Sequence, residues 1–591
     1  MEIKSQTFKY PNIYTTIYML DFTQLKKNLK KQTTEFKSVK VALLGDSATQ
    51  FVVQAIKGMG VESSLNIVFF EAEFNQIERQ ILDPDSVLYQ FNAEIVLIFE
   101  SSHKLLQKYN KKLPSNRERF AETSILQTQQ LIATLQSKTN AKIIFCNYTE
   151  EDDHVFGQYA NKVEGSFIYQ LRKINYLLQE FAFQTNNFYI CDLSTIQNTI
   201  GRERFWSAPI YTNTEMVVSI EALPYFSQAV VQIICSLHGK FKKCVILDLD
   251  NTTWGGIIGD DGIENIQIGQ LGIGKAFTEF QYWIKKLQQR GVIVAVCSKN
   301  TESVAKEPFE KHPDMVLRLA DIAVFVANWE NKADNIRKIQ SILNIGFDSM
   351  VFLDDNSFER NLVRENIKDI TIPELPEDPA LYLDYLYGLN LFETVSYSGE
   401  ELKRTQQYQK EAERVNVQES FTNEDDFLKS LDMLSDTKSF DSFSVPRIAQ
   451  LSQRSNQFNL RTVRYTEEDI KRIASSEDYL TVSFTLEDKF GDNGLICAII
   501  LKKSENNTLF IDTWFMSCRV LKRGMEHYVL NTIVTVTKEA GYETIIGEYI
   551  PTLKNEMVKD HYLNLGFEPH NELWKISVNE YNHKENFIIK K

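Results

Sequence analysis

The stretch Lys243-Cys-Val-Ile-Leu-Asp-Leu-Asp-Asn-Thr252 constrains this chain more than any other, because an unbroken apolar run ends in two carboxylates one residue apart. Such a run, with no polar alternation, reads as a strand buried on both faces, hence a parallel sheet covered by helices. Side chains two apart on a strand point the same way, so Asp248 and Asp250 can face one ligand at its carboxyl end. Paired oxygen ligands suit magnesium and phosphate. A lone Asp-x-Asp serves equally well as a cap for the following turn. Three later segments tip the balance: residues 292–298 form a second apolar run ending in Ser298, Asn331-Lys332-Ala-Asp-Asn335 opens a helix, and Met350-Val-Phe-Leu-Asp354-Asp355-Asn356 is a third run ending in carboxylates.

In kind and order these segments resemble the motifs of the haloacid dehalogenase superfamily of phosphotransferases. The likeness narrows at Asp248-Leu-Asp-Asn-Thr-Thr-Trp-Gly-Gly256, Cys297-Ser-Lys-Asn300 and Phe352-Leu-Asp-Asp-Asn356, which resemble its FkbH-like branch (subfamily IIIC). Stretches at 447–451, 456–460, 489–494 and 517–521 carry the similarity over residues 240 to 570. The resemblance implies Asp248 as the nucleophile that takes a phosphoryl group and Asp250 as general acid/base. Thr252, Ser298, Asn300 and Lys332 would bind the phosphate, and Asp248, Asp250 (through its backbone carbonyl), Asp354 and Asp355 would hold Mg²⁺. Position 299, which is Lys299 and not an asparagine, is assigned no phosphate contact. The chemistry needs these types. A carboxylate attacks phosphorus only when the phosphate's charge is screened by a hard cation and an ammonium, and leaving-group protonation needs a second carboxyl group in a different environment.

A chain of 591 residues implies three or four domains. Its formal charge of −14 argues against a general nucleic-acid binder, which would concentrate Lys and Arg. Seven cysteines without CxxC or Cys/His clustering point to a reducing compartment. With no signal-like start and no run of eighteen apolar residues, the expectation is a cytoplasmic protein without membrane insertion.

The fold class expected is multidomain α/β. After an N-terminal extension (1–37), residues 38–240 alternate apolar strands with amphipathic stretches, which predicts a doubly wound parallel sheet of SGNH/flavodoxin-like type. Its first strand ends in Leu44-Gly-Asp-Ser47, similar to the opening block of SGNH hydrolases, so Ser47 is a candidate site residue. The family's later blocks are missing, and Ser47 reads equally as a helix N-cap, with His103 and His154 as surface histidines. Residues 241–380 would form a Rossmann-like, capless phosphatase domain and 381–435 a solvated helical connector.

Residues 436–591 resemble a GNAT acyltransferase fold, in which a helix N-terminus binds the pyrophosphate of coenzyme A. Arg519, Arg523, Gly524, Asn555 and Tyr562 are the corresponding candidates, for coenzyme A or a carrier protein's phosphopantetheine arm. Only 47 residues separate Asp250 from Ser298 and 33 separate Ser298 from Lys332, too few for a full cap, so an open site is expected. The FkbH resemblance implies a concrete reaction: a phosphorylated glyceryl donor loses phosphate and its acyl group is loaded on an acyl carrier protein. Cys297, beside Ser298, would be the acyl-accepting thiol if its pKa were lowered, or else a buried small hydrophobe. Two alternatives stay open: a sugar-phosphate or metabolite phosphatase coupled to CoA-dependent acylation in polysaccharide assembly, and a non-catalytic carrier-docking scaffold.

Overall fold

The computed structural model describes residues 20–397, 404–418, 421–552 and 554–591, and forms two compact units, Met1–Cys235 and Ser236–Lys591. The fold class is multidomain α/β. None of the described helices is long and apolar enough to cross a membrane.

The first unit is built on five parallel strands in the order β2-β1-β3-β4-β5: β1 Lys37–Gly45, β2 Leu65–Glu71, β3 Ile95–Phe99, β4 Lys142–Cys146 and β5 Phe188–Cys191. The order reverses between β1 and β3, which opens a crevice at the carboxyl ends of those strands. The extension is partly integral to this unit, although residues 1–19 lie outside the described set. Helix Phe22–Asn28 packs on helix Gln50–Glu62, where Asn28 Nδ2 donates to the Gly58 carbonyl (3.2 Å) and to Glu62 (2.6 Å). Gly58 permits this approach, since a Cβ there would lie 2.3 Å from the Leu25 carbonyl oxygen.

In the second unit a four-stranded parallel sheet runs β8-β7-β6-β9, with β6 Cys244–Leu247, β7 Ile293–Ser298, β8 Val324–Ala327 and β9 Met350–Leu353. Every residue of β6, β7 and β9 is buried, as continuous apolar runs between two helical layers require. Val245 and Leu247 meet Phe277 and Phe280 on one face, while Ile246 and Ala295 meet Ile336 and Ile339 on the other. Beyond it lies a mixed sheet. Short β10 (Leu434–Ser435) and β11 (Thr437–Lys438) flank the antiparallel β12 (Tyr479–Asp488), β13 (Gly491–Ser504) and β14 (Thr508–Met516), and β15 (Thr544–Gly547) pairs parallel to β14.

The expected solvated connector is corrected by the structure. Helix Arg404–Gln418 buries Tyr408 in the core beneath β7, and Gln409 Nε2 donates to the Ile322 carbonyl (2.8 Å). Its charges are internal: Arg414 is 3% exposed and pairs with Asp488 at 2.8 Å, and Arg523 reaches the same carboxylate at 3.2 Å. Removing one partner of such a buried pair costs about 3–5 kcal/mol. The helix therefore ties the parallel sheet to the mixed sheet, and composition alone, rich in Glu, Lys and Gln, gave the opposite impression.

Candidate active site

Strand β6 delivers Asp248 to the sheet's carboxyl edge, where its N–H still bonds the Leu353 carbonyl of β9 (2.9 Å). The chain then turns tightly: Thr252 and Thr253 N–H groups both bond the Leu249 carbonyl (3.2 and 2.7 Å), with Asn251 in the left-handed region at φ 55°. Asn tolerates that conformation better than other non-glycine residues. Thr253 Oγ1 donates to the Asp248 carbonyl at 2.6 Å and locks the turn.

Lys332 is the first residue of helix Lys332–Leu343, whose N-cap Asn331 accepts from the Ala333 and Asp334 N–H groups. Its ammonium is 3% exposed and lies 2.9 Å from Asp248 Oδ2 and 2.6 Å from Asp354 Oδ2. Burial pulls the Lys332 pKa down, but Asp248 and Asp354 outweigh it and the net shift is upward. Burial and the charge of Asp248 push Asp354 up against Lys332, and burial likewise raises Asp355. Oxygens of Asp248, Asp354 and Asp355 lie within 4.8 Å of one another. Three carboxylates and one ammonium sum to −2 (−3 + 1), so this donor set, all oxygen and largely buried, fits a hard divalent cation.

Asp250 is not part of that cluster. Its Oδ1 accepts from Trp254 Nε1 and from the Ile258 N–H, both at 3.0 Å, and its Oδ2 accepts from Asn300 Nδ2 at 2.9 Å. Its side chain is accordingly an acid/base candidate and not a metal ligand. Ser298 Oγ lies 3.2 Å from the same Asn300 amide nitrogen. The asparagine of this loop therefore stands at 300 and not at 299. Lys299, between the two, turns its ammonium to the buried carboxylate of Glu359 at 2.6 Å, and that pairing keeps its charge out of the phosphate contacts.

Two expectations at this edge fail. Thr252 is fully buried, and its hydroxyl donates to Asp355 Oδ1 (3.0 Å) while accepting the Asp355 N–H (3.0 Å), so it fastens two loops together instead of orienting phosphate. Cys297 is 0% exposed and faces the helix layer with Ala295 and Ile336. Burial drives its thiol pKa far up despite Lys332, the reverse of what an acyl-accepting thiolate needs. The sequence reading also missed Arg360, which donates to the Asp354 and Asp355 carbonyls at 2.8 and 2.7 Å and shapes the acidic loop. Trp254, though inside a quoted motif, had been given no role.

In the first unit, Ser47 is completely buried, and its hydroxyl has no partner among the described residues. The following helix, Gln50–Glu62, takes Thr49 as its N-cap, so neither the nucleophile nor the capping role of Ser47 is met. His103 is not a surface residue: it stacks on Trp206 at 4.6 Å with Glu151 3.5 Å away, and burial lowers its pKa to about 4. His154 is exposed.

The C-terminal candidates are equally enclosed. Gly524 does open helix Met525–Glu539 at φ 75°. Arg519 and Arg523 point the other way, into the buried bonds with Gln407, Glu411 and Asp488. Asn555 is 0% exposed and holds the Asn459 and Ile550 carbonyls at 3.0 Å each. Tyr562 is fully buried, stacked against Trp574, and burial drives its hydroxyl pKa up. Strands β14 and β15 pair from Thr508–Thr544 as far as Phe510–Ile546. Beyond that point the chain's own residues 458–460 lie between them: Met516 N bonds the Phe458 carbonyl (3.1 Å), Leu460 N the Trp514 carbonyl (3.3 Å), and Ile550 N the Leu460 carbonyl (2.9 Å).

Comparison with known proteins bears on this geometry. Residues 40–235 match the family model described as FkbH, N-terminal domain. The crystal structure of the N-terminal part of protein BF1531 from Bacteroides fragilis, which contains a phosphatase domain and is complexed with Mg, is 54% identical. The match has a TM-score of 0.61 and covers 64% of this chain and 100% of that one. The ribosomal-protein-S18-alanine N-acetyltransferase of Escherichia coli is 14% identical (TM-score 0.20; 26% of this chain, 98% of that one). Mutant forms of a spermidine/spermine N-acetyltransferase from Vibrio cholerae are 11% identical (TM-score 0.20; 25% and 95%). Likenesses of that size support no assignment. Among curated proteins none matches.

Proposed function

Because this chain belongs to the FkbH-like family of the haloacid dehalogenase superfamily, we propose that its second unit is a magnesium-dependent phosphatase and phosphotransferase working through a phosphorylated Asp248. The observation that carries this reading is the Lys332 ammonium between Asp248 and Asp354. Asp248, Asp354 and Asp355 would hold the cation, and a bound magnesium supplies charge neutralisation at the phosphoryl oxygens.

The chain's own groups account for the rest. A carboxylate oxygen of Asp248 attacks phosphorus while the ester P–O bond breaks, and Lys332 screens the carboxylate from the phosphate's charge. Protonated Asp250 gives its proton to the departing oxygen. In the second half-reaction Asp250 takes a proton from water, whose oxygen attacks phosphorus and releases Asp248. Ser298 donates to a phosphoryl oxygen.

The finer reading follows the family. The substrate is a phosphorylated glyceryl donor, and its acyl group passes to a thiol on an acyl carrier protein. There the thiolate attacks the acyl carbonyl, a C–S bond forms, and the acyl-phosphate C–O bond breaks to release one phosphate; the remaining ester phosphate is the one Asp248 takes by P–O cleavage, leaving a glyceryl group. Buried Cys297 favours direct transfer to the external thiol over a relay through the enzyme. The seven cysteines, none of them in a disulfide, fit a reducing cytoplasm. Incubation with magnesium, 1,3-bisphosphoglycerate and a phosphopantetheinylated carrier protein tests this. Phosphate release together with a glyceryl mass on the carrier is expected. Release from sugar phosphates with no carrier adduct would replace the glyceryl reading with general phosphatase action, and no turnover on any phosphate would leave a docking scaffold.

A further inference from the structure

Asn300 is 4% exposed and stands two residues beyond Ser298, past the end of β7. Its side-chain nitrogen makes two contacts, Asp250 Oδ2 at 2.9 Å and Ser298 Oγ at 3.2 Å. The amide nitrogen faces Asp250, where its oxygen would meet an ionised carboxylate unfavourably. An NH₂ group has two hydrogens, and here each has its own acceptor.

The consequence for Ser298 is directional. A hydroxyl whose lone pair already accepts an N–H bond turns its single hydrogen elsewhere, and Ser298 stands at the carboxyl edge beside the Asp248 strand. For Asp250, Trp254 Nε1 and the Ile258 N–H fix one oxygen, and the Asn300 amide fixes the other. Trp254 is itself fully buried, edge-on to Phe309 at 5.8 Å, so the clamp is rigid on that side. Among the described residues, Asn300 is the side chain that joins the acid/base carboxylate to the phosphate-binding hydroxyl.

We propose that Asn300 is a positioning residue whose two N–H bonds aim the Asp250 carboxyl and the Ser298 hydroxyl at the same phosphoryl group. This rests on the phosphotransfer reading above. It assigns Asn300 a role different from direct phosphate binding, because neither amide hydrogen is left for phosphate.

Leaving-group chemistry separates this role from a structural one. An alkoxide leaves only when protonated, so loss of Asp250 aim penalises an alkyl phosphate. A nitrophenolate leaves without a proton and is indifferent to it in the first half-reaction, whereas hydrolysis of phospho-Asp248 needs Asp250 with either ester, so the comparison is made on leaving-group release in a single turnover. Loss of the Ser298 direction weakens phosphate binding whichever ester is used. The test compares Asn300→Leu, which keeps roughly the same size and removes both donors without adding a charge beside Asp250, and Asn300→Ala, each with magnesium present.

The expected result is a fall of about 100-fold in the single-turnover rate of leaving-group release from glycerol 3-phosphate but under about tenfold from p-nitrophenyl phosphate. Inhibition by inorganic phosphate should weaken about tenfold with both substrates. Equal falls on the two esters, or wild-type kinetics in both variants, would overturn the proposal. Asp248→Asn is measured alongside: if it retains turnover, the phosphotransfer reading fails and the proposal with it. If it is dead while the Asn300 variants are normal, the proposal alone fails.

Discussion

Asp248 and Asp46 each stand at the end of a parallel strand, and only Asp248 meets the charges that the proposed nucleophile needs. Asp248 follows β6 and has an ammonium 2.9 Å away, with two further carboxylates that complete a cation-sized cluster. Asp46 follows β1 in the first unit and accepts only from Ser101, through its N–H (2.8 Å) and hydroxyl (3.4 Å), with Oδ1 unpartnered among the described residues. The cation in its neighbourhood, Lys108, bridges Glu100 instead. On the proposed reading, a strand-end carboxylate becomes a nucleophile through the charge set against it, not through its place in the sheet.

The strongest way to break this contrast is to neutralise each carboxylate without changing its shape. Asp248→Asn should lower phosphate release by about 10⁴-fold or more with the unfolding temperature little changed, because on the proposed reading Asp248 is the residue that takes the phosphoryl group. Steady-state phosphate assays and calorimetry on the same sample check this. Residual turnover within tenfold of wild type would mean that another group carries the chemistry.

Asp46→Asn should act on stability and not on turnover. Burial, then Glu100, raises the Asp46 pKa to about 7, above its ordinary 3.8. Between those values the unfolded chain has lost the proton that the folded chain keeps. Stability contributed by protonated Asp46 is therefore present below pH 4 and lost as pH rises toward 7. The variant, which cannot ionise, should gain on wild type over that window by at most about 4 kcal/mol and hold the gain above it. Denaturation midpoints at pH 5 and 8 measure the gain; a pH-independent difference would show that Asp46 does not titrate in this way.

How far the sequence revealed all this depended on the range of the interactions involved. Apart from β8, too short to stand out, the parallel strands were legible because each is a largely apolar run, and Asp248, Ser298, Lys332 and Asp354 because each ends such a run or begins a helix. The Thr252–Asp355 bonds span 103 residues and the Gln288–Thr405 bond 117, so no local pattern could report them. The charges of helix Arg404–Gln418 looked solvated because composition does not distinguish a charge in water from one in a buried pair. Arg519 and Arg523 were candidates through the GNAT resemblance, and their guanidinium groups are already engaged.

Cys297 is the sharpest of these cases and carries the smallest expected effect. Adjacency to Ser298 made it a candidate, yet neighbours on a strand face opposite sides of the sheet, and its thiol lies against the helix layer, 3.8 Å from the Lys332 carbonyl. Cys297→Ala removes only the sulfur, so the cost should be about 1 kcal/mol of stability with phosphate release within twofold of wild type. Glyceryl transfer to a carrier thiol should be equally unaffected, since no acyl group would ever rest on Cys297. The measurement is intact mass of the enzyme and the carrier during turnover. A glyceryl adduct on wild-type enzyme that disappears in the Ala variant would require β7 to open far enough to expose this thiol, and would make the contrast between Asp248 and its buried neighbours one of motion as well as of charge.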